Sequence, residues 1–260
     1  MKLIRSRDNP FYKGLVKLSG SARQRGKDNQ TLLDGTHLLN AYLDVGKLPQ
    51  HVLINDTALN EAEITALLAR MNGVPVTKLD DRLFAELSEL KSTTGIIALI
   101  DVPVPDSTIA QNRFILLLED IRDPGNLGSM LRSAAAAGCD AVFLSKGCTD
   151  AWSPRVLRAA MGGHFALQIF ELQDLTLVAK AFAGVLHATT LQGTCSLYDC
   201  DLRGNIAFAI GNEGAGLSAE LLELATHQIA IPMCGKVESL NAAAAAAICL
   251  FEAVRQRQSR

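Results

Sequence analysis

Three short stretches of the chain combine amides, a carboxylate, an arginine and glycines in patterns able to hold a small ligand and act on it. The first is Glu119-Asp120-Ile121-Arg122-Asp123-Pro124-Gly125-Asn126-Leu127-Gly128-Ser129-Met130-Leu131-Arg132. Pro124-Gly125-Asn126 is turn chemistry that leads into a helix start. Leu127, Met130, Leu131, Ala134 and Ala135 form the stripe that this helix should bury. At 100° per residue, Arg132 projects roughly 140° away from Leu127 and off that stripe. The second stretch is Gly211-Asn212-Glu213-Gly214-Ala215-Gly216-Leu217-Ser218. Its three glycines let the backbone turn sharply and approach a ligand closely. Glu213, an acid among glycines, does nothing for helix propensity. The third is Ile231-Pro232-Met233-Cys234-Gly235-Lys236-Val237-Glu238-Ser239-Leu240-Asn241. Ser239 is a natural N-cap for the helix that follows, and Asn241 falls in its first turn. Read singly, each stretch is also an ordinary cap or a tight strand-to-helix turn.

Such residues need a scaffold that brings them to one place. The chain of 260 residues reads as two α/β units. In the first, strand-like runs fall at His51–Ile54, Val74–Thr77 and Gly95–Ile100, with helical periodicity over Ala58–Met71. Asp101-Val102-Pro103-Val104-Pro105-Asp106-Ser107 then marks a boundary, giving domains 1–104 and 105–260. In the second, continuous apolar runs at Phe114–Leu118, Ala141–Leu144, Val185–Ala188, Ile206–Ile210 and Gln228–Ile231 alternate with helices. That alternation points to a parallel sheet covered on both faces. Ligands bind such sheets beyond the carboxyl ends of the strands. All three stretches follow directly on one of these runs. The last helix should bury Leu240, Ala244, Ala247, Ile248, Phe251 and Val254.

Asn126-x-Gly128-x3-Arg132, Gly211-Asn212-Glu213-Gly214-x-Gly216 and Ile231-Pro232-Met233 with Ser239-Leu240-Asn241, in that order, resemble the three signature motifs of the SpoU (TrmH-type) RNA ribose 2′-O-methyltransferases of the SPOUT superfamily. The segments Ser153–Phe165 and Ile248–Arg257 are similar to bacterial members acting on large-subunit ribosomal RNA. The front, Asn9-Pro10 through Leu33-Asp34-Gly35 and Leu38, resembles the substrate-binding domain of these enzymes, with Asp34 where the family usually has Glu. The resemblance implies an α/β fold whose C-terminal parallel-sheet domain carries a deep trefoil knot, preceded by a smaller α/β RNA substrate-binding domain. It implies S-adenosyl-L-methionine as cofactor, held by backbone at Gly211, Ile231 and Leu240, and action as a homodimer. It also points to Arg132, Asn126, Glu213, Ser239 and Asn241 as the catalytic set. An arginine has been proposed as base in this family, but a guanidinium with a pKa above ~12 is almost never neutral. Arg132 is therefore expected to clamp phosphate and steady the emerging alkoxide, and Glu213 or water to take the proton. The target is expected to be bacterial 23S ribosomal RNA. A transfer-RNA 2′-O-methyltransferase and a catalytically silent RNA-binding or ribosome-assembly protein are the alternatives.

The net charge of −2 by itself argues against a nucleic-acid binder, but charge is segregated by region, and a basic end suits either a polyanion partner or a solvated terminal helix. The first 30 residues carry +6, through Lys2, Arg5, Arg7, Lys13, Lys17, Arg23, Arg25 and Lys27 against Asp8 and Asp28, while the other 230 carry −8. Phe11, Tyr12 and the nearby lysines could stack on and clamp RNA, or Phe11 could belong to the core. The glycine spacing is not GxGxxG, and there is no GxxxxGK[ST], which counts against a nicotinamide dehydrogenase or an NTPase. The five histidines lack metal-ligand spacing, and six scattered cysteines without a CxxC pair read as reduced thiols. No apolar run suits a membrane span or a secretory signal. The expectation is a cytoplasmic enzyme that needs neither metal nor membrane.

Overall fold

The computed structural model describes residues 2–90, 93–106 and 108–258, so Ser107 of the expected boundary lies outside the described residues. In chain order the elements are β1 (Lys2–Ile4), α1 (Pro10–Gly20), α2 (Ala22–Asp28), β2 (Gln30–Asp34), α3 (Thr36–Asp44), β3 (His51–Ile54), α4 (Ala62–Arg70), β4 (Val76–Leu79), α5 (Asp81–Leu87), β5 (Ile96–Asp101), β6 (Phe114–Leu118) and α6 (Pro124–Ala136). There follow β7 (Ala141–Ser145), α7 (Pro154–Ala160), β8 (Gln168–Gln173), α8 (Leu175–Ala181), β9 (Val185–Thr189), β10 (Cys195–Ser196), β11 (Ile206–Ile210), α9 (Ala219–Leu224), β12 (His227–Ala230) and α10 (Ala242–Gln258).

Two compact units result: residues 1–103 with 152–165, and residues 104–151 with 166–260. The first holds a five-stranded sheet in the order β1-β4-β3-β5-β2, with β5 antiparallel to both its neighbours. Tyr12, Leu15 and Leu18 of α1 bury against Leu53, Leu79, Phe84 and Ile97. The segment 152–165 belongs to this unit although it lies far along the chain. Val156, Leu157 and Ala160 of α7 are buried there, and Thr31 Oγ1 donates to the Trp152 carbonyl at 2.7 Å. Gly162 has φ +85°, and a Cβ there would come within 2.6 Å of Ala41 Cβ, so only glycine lets the chain pass α3 this closely. β4 starts two residues later than the sequence suggests. Pro75 cannot donate to a ladder and contributes only its carbonyl, to Val52 N–H at 2.9 Å.

The second unit holds a seven-stranded sheet, order β10-β12-β9-β11-β6-β7-β8, and every pairing in it is parallel. β6 and β11 are buried along their whole length, which is why they read as unbroken apolar runs. β8 and β10, at the two edges, mix polar and apolar residues and escape that signal.

The C-terminal helix corrects the sequence reading. Its buried side is Ala242, Ala246, Cys249, Leu250, Glu252 and Ala253, whereas Ala244 is exposed and Phe251 is 48% exposed. The helix is apolar nearly all round, so its periodicity does not single out the face that meets the sheet. Glu252 is buried because Arg255 and Gln256 hydrogen-bond it at 2.7 to 2.9 Å. The cap is also reassigned. Asn241 Oδ1 accepts from Ala243 N–H at 2.9 Å and Ala244 N–H at 3.2 Å, so Asn241 is the N-cap and Ser239 lies upstream of it.

Candidate active site

The loops after β6, β11 and β12 leave the same end of the parallel sheet. Pro124 occupies the first turn of α6, where its missing N–H costs nothing, and Asp123 caps the helix by accepting Asn126 N–H at 2.8 Å. Asn126 therefore sits in the first turn, at the mouth of the sheet. After β11 the chain folds back on itself. Asn212 Oδ1 accepts from Gly214 N–H at 2.8 Å, and Gly216 N–H donates to the Asn212 carbonyl at 2.8 Å. A Cβ at Gly211 would lie 2.3 Å from the Gly216 backbone, so this turn closes only with glycine at 211. Glu213 is displayed at the tip of that turn.

Three side chains from the three loops meet. Asn126 Nδ2 donates to Glu213 Oε1, Asn241 Nδ2 donates to Glu213 Oε1 at 3.0 Å, and Asn241 Nδ2 also donates to Asn126 Oδ1 at 2.9 Å. They lie 87, 28 and 115 residues apart in pairs, so nothing local joins them. Both amides donate to one carboxylate oxygen, which fixes the carboxylate and leaves Oε2 open to a further donor. All three side chains face water or are half-buried.

The other two expected catalytic residues are not part of this cluster. Arg132 stands on α6 two turns beyond Asn126, exposed, with no hydrogen bond or ion pair among the described residues. Ser239 is exposed in the loop before the Asn241 cap.

Four residues that the sequence analysis did not single out hold the cluster in place. Asn212 Nδ2 donates to the Asp120 carbonyl at 2.9 Å and ties the second loop to the first. Asp120 has φ +54°, a left-handed conformation that Asp adopts more readily than most residues. It is held by donating its N–H to Ser145 Oγ and accepting the Ser145 hydroxyl proton, each at 2.9 Å. Glu119 Oε2 accepts Ser218 N–H at 2.7 Å, closing the far side of the second loop. Asp123 is the helix cap described above. Asp-Pro before a helix and Asn after a strand are local turn signals, and through them Asp123 and Asn212 were within reach of the sequence. The partners of Glu119 and Asp120 are more than twenty residues away and were not.

The expected cofactor residues lie in the loops after β11 and β12. β9 lies between β11 and β12, with Ala209 level with Ala188 and Ala188 level with Gln228. Gly211 follows β11 and Ile231 follows β12, and two strand spacings, roughly 10 Å, separate those strands. Residues 231–240 form neither helix nor strand, so their backbone N–H and C=O groups are available to a ligand, and Ile231 and Leu240 add half-buried apolar surface. The described residues contain no group of three metal-ligating side chains and no helix long and apolar enough to cross a membrane.

The basic N-terminus divides in two. Arg7 pairs with Glu86 and Lys13 with Asp8 at 2.8 Å. Arg25 is buried and caps α1 through the Leu18 and Ser19 carbonyls, so it is not a phosphate ligand. Tyr12 is buried too, with its hydroxyl donating to the Leu83 carbonyl at 3.0 Å, and it cannot stack on RNA. Phe11 packs on the core and against His51, with ring centroids 4.8 Å apart. Lys2, Arg5, Lys17, Arg23 and Lys27 remain exposed.

Residues 113–251 match the SpoU rRNA Methylase family, and residues 9–98 match the MRM3-like substrate binding domain. An uncharacterized tRNA/rRNA methyltransferase of Synechocystis is 36% identical over 98% of this chain and 94% of its own. The 23S rRNA (guanosine(2553)-2′-O)-methyltransferase RlmP of Bacillus subtilis is 32% identical over 96% of this chain and 98% of its own. The crystal structure of the SpoU methyltransferase AviRb from Streptomyces viridochromogenes, in complex with the cofactor AdoMet, superposes with a TM-score of 0.85 at 28% identity over 96% of this chain and 99% of that one. With the parallel sheet, the three converging loops and these matches together, the chain belongs to the SpoU rRNA methylase family.

Proposed function

We propose that this protein transfers a methyl group from S-adenosyl-L-methionine to a ribose 2′-hydroxyl of bacterial 23S ribosomal RNA. The observation that carries the proposal is the hydrogen-bonded meeting of Asn126, Glu213 and Asn241 beside the loop of Ile231 and Leu240. When bound, the cofactor supplies an already electrophilic methyl group. The protein has then to set the hydroxyl in line with it and remove the hydroxyl proton. Glu213 accepts that proton at its carboxylate, which Asn126 and Asn241 hold still. Arg132, exposed and uncommitted, clamps the phosphate of the target nucleotide and steadies the developing alkoxide through its planar fork of donors. Ser239 borders the same loop and orients the ribose. A 2′-hydroxyl is common to every nucleotide, so site choice falls to the separate N-terminal unit and its exposed lysines and arginines. A target in ribosomes puts the work in the cytoplasm.

Two further features complete the proposal. The outward side of α10, with Ala244, Ile248 and Phe251, is the interface of a homodimer, because a soluble helix rarely leaves an apolar stripe in water. The C-terminus is knotted, as the family resemblance implies. In support, the segment before β11 grips the end of α10, Gln256 Nε2 donating to the Cys200 carbonyl at 3.0 Å and Arg257 Nη2 to the Gly204 carbonyl at 2.8 Å.

The test compares 2′-O-methyl positions on ribosomal and transfer RNA from cells with and without the gene. One 23S position that disappears and returns with the wild-type gene, but not with Glu213→Gln, is expected. Loss of a transfer-RNA methyl instead would move the substrate, and no change on any RNA would refute the activity.

A further inference from the structure

Cys195 and Cys200 take no part in the chemistry above. They lie in the segment between β9 and β11, Cys195 in β10 and Cys200 just before the turn into β11. Their sulfur atoms are 3.0 Å apart, and both thiols donate to one acceptor, the Ser196 carbonyl, at 3.4 Å. A disulfide needs about 2.05 Å between sulfurs, so about 1 Å of approach would close the bond. Access differs between the two. Cys195 is partly exposed, whereas Cys200 is 8% exposed. An accessible thiol beside a sheltered one is the arrangement of an oxidisable cysteine with its resolving partner. Burial and the neighbouring Cys195 hold the Cys200 thiol protonated, so oxidation starts at Cys195.

The position of the pair gives it consequence. β10 is hydrogen-bonded to β12, with Cys195 level with Ile229 and Ser196 level with Ala230, and Ile231 comes next. A Cβ at Gly193 would lie 2.4 Å from the backbone of Ile229 and Ala230, so no slack separates this segment from the strand. The Cys200 carbonyl meanwhile holds Gln256 of α10. Backbone movement of Cys195 as the sulfurs close would fall on the β10–β12 pairing, at the root of the 231–241 loop.

We propose that Cys195 and Cys200 form a reversible disulfide under a hydroperoxide, and that the bridge weakens cofactor binding by displacing the edge of the sheet under the 231–241 loop. The second half rests on the function proposed above; the first does not. In the first step the peroxide oxidises the Cys195 thiolate to a sulfenic acid and is itself reduced to an alcohol, or to water if it is hydrogen peroxide. In the second the Cys200 sulfur attacks the sulfenic sulfur, the S–S bond forms and water leaves, so two thiols give up two electrons in all.

The sequence makes the test simple, because trypsin cutting after Lys180 and Arg203 leaves both cysteines, and none of the other four, on one peptide. The full chain is treated with hydrogen peroxide, unfolded, alkylated and digested. That peptide is expected two hydrogens lighter and unalkylated, and doubly alkylated after dithiothreitol. Cys200→Ser is expected to leave Cys195 as a sulfenic acid that dimedone traps. Calorimetry with S-adenosyl-L-methionine is expected to show several-fold weaker binding for the oxidised wild type, restored by dithiothreitol, and no change on oxidising Cys195→Ser. A doubly alkylated peptide after peroxide, or equal affinity of bridged and reduced chains, would overturn the proposal. Failure of the reduced wild type to bind at all would instead count against the cofactor assignment, and the peptide mass would still judge the pair.

Discussion

Asn241 does two jobs with opposite ends of one amide, and Asn241→Asp separates them. Its Oδ1 caps α10, and its Nδ2 holds Glu213 and Asn126. Aspartate keeps the capping oxygen and adds negative charge at a helix N-terminus, which contributes about 0.3–1 kcal/mol of stability. The other oxygen now faces Glu213 Oε1 across the 3.0 Å that the amide spanned. Two unit charges at that separation repel by about 1.4 kcal/mol in bulk water and by about 5.5 kcal/mol at an effective dielectric of 20. The cluster is exposed, so a value of about 2 kcal/mol is appropriate. Loss of the two donated hydrogen bonds adds about 1 kcal/mol each. The expectation is a chain that still folds, with a melting temperature lowered by several degrees, and kcat/KM for methyl transfer lowered about 100- to 1000-fold. Asn241→Ala loses the same two hydrogen bonds without the repulsion, and gives up about 1 kcal/mol more with the cap. The assay is methyl transfer to a 23S fragment alongside thermal unfolding. A folded Asn241→Asp enzyme within threefold of wild-type turnover would show that the three-residue cluster does not govern the reaction.

Other outcomes follow from single contacts. Arg132→Ala should leave the melting temperature unchanged, because the side chain is exposed and uncommitted among the described residues, yet cost at least 100-fold in kcat/KM; Arg132→Lys with near-normal kinetics would refute a bidentate clamp. Gly211→Ala should destabilise by about 2 kcal/mol and lower cofactor affinity, since its Cβ would meet Gly216 backbone at 2.3 Å; unchanged denaturant midpoint and calorimetric affinity would show the turn to be slack. His187 is buried against Phe208 and His227 with neither ring nitrogen hydrogen-bonded among the described residues, and burial, then His227, lowers its pKa to about 4. The unfolded chain therefore binds the extra proton first as pH falls below 6.5, and stability should drop by up to about 3 kcal/mol towards pH 4 and be flat in this respect above pH 6.5. Denaturant titrations across that range should show the slope in wild type and a shallower one in His187→Phe. In the N-terminal unit, Arg25→Ala should lower the melting temperature through its lost carbonyl contacts, while Arg23→Ala should leave it alone and weaken RNA binding with a smaller salt slope.

The local chemistry of this protein was legible in its residues. Buried parallel strands such as Phe114–Leu118 and Ile206–Ile210 must be apolar on both faces, so their limits could be read directly. The rule that ligands sit beyond strand ends then pointed to the three loops. Edge strands β8 and β10, half in water, carry no such pattern and were invisible. The buried face of α10 could not be chosen either, because a helix that is apolar nearly all round has no periodicity to mark which side is buried. Tertiary structure alone made Arg25 a helix cap rather than an RNA contact, put residues 152–165 into the N-terminal unit, and gave Asn241 both ends of its amide to use. The division has one physical cause. Propensity, capping and burial act over a few residues and are written in neighbouring letters. Which distant groups finally touch depends on how the sheet and helices pack, and no short window of sequence records that.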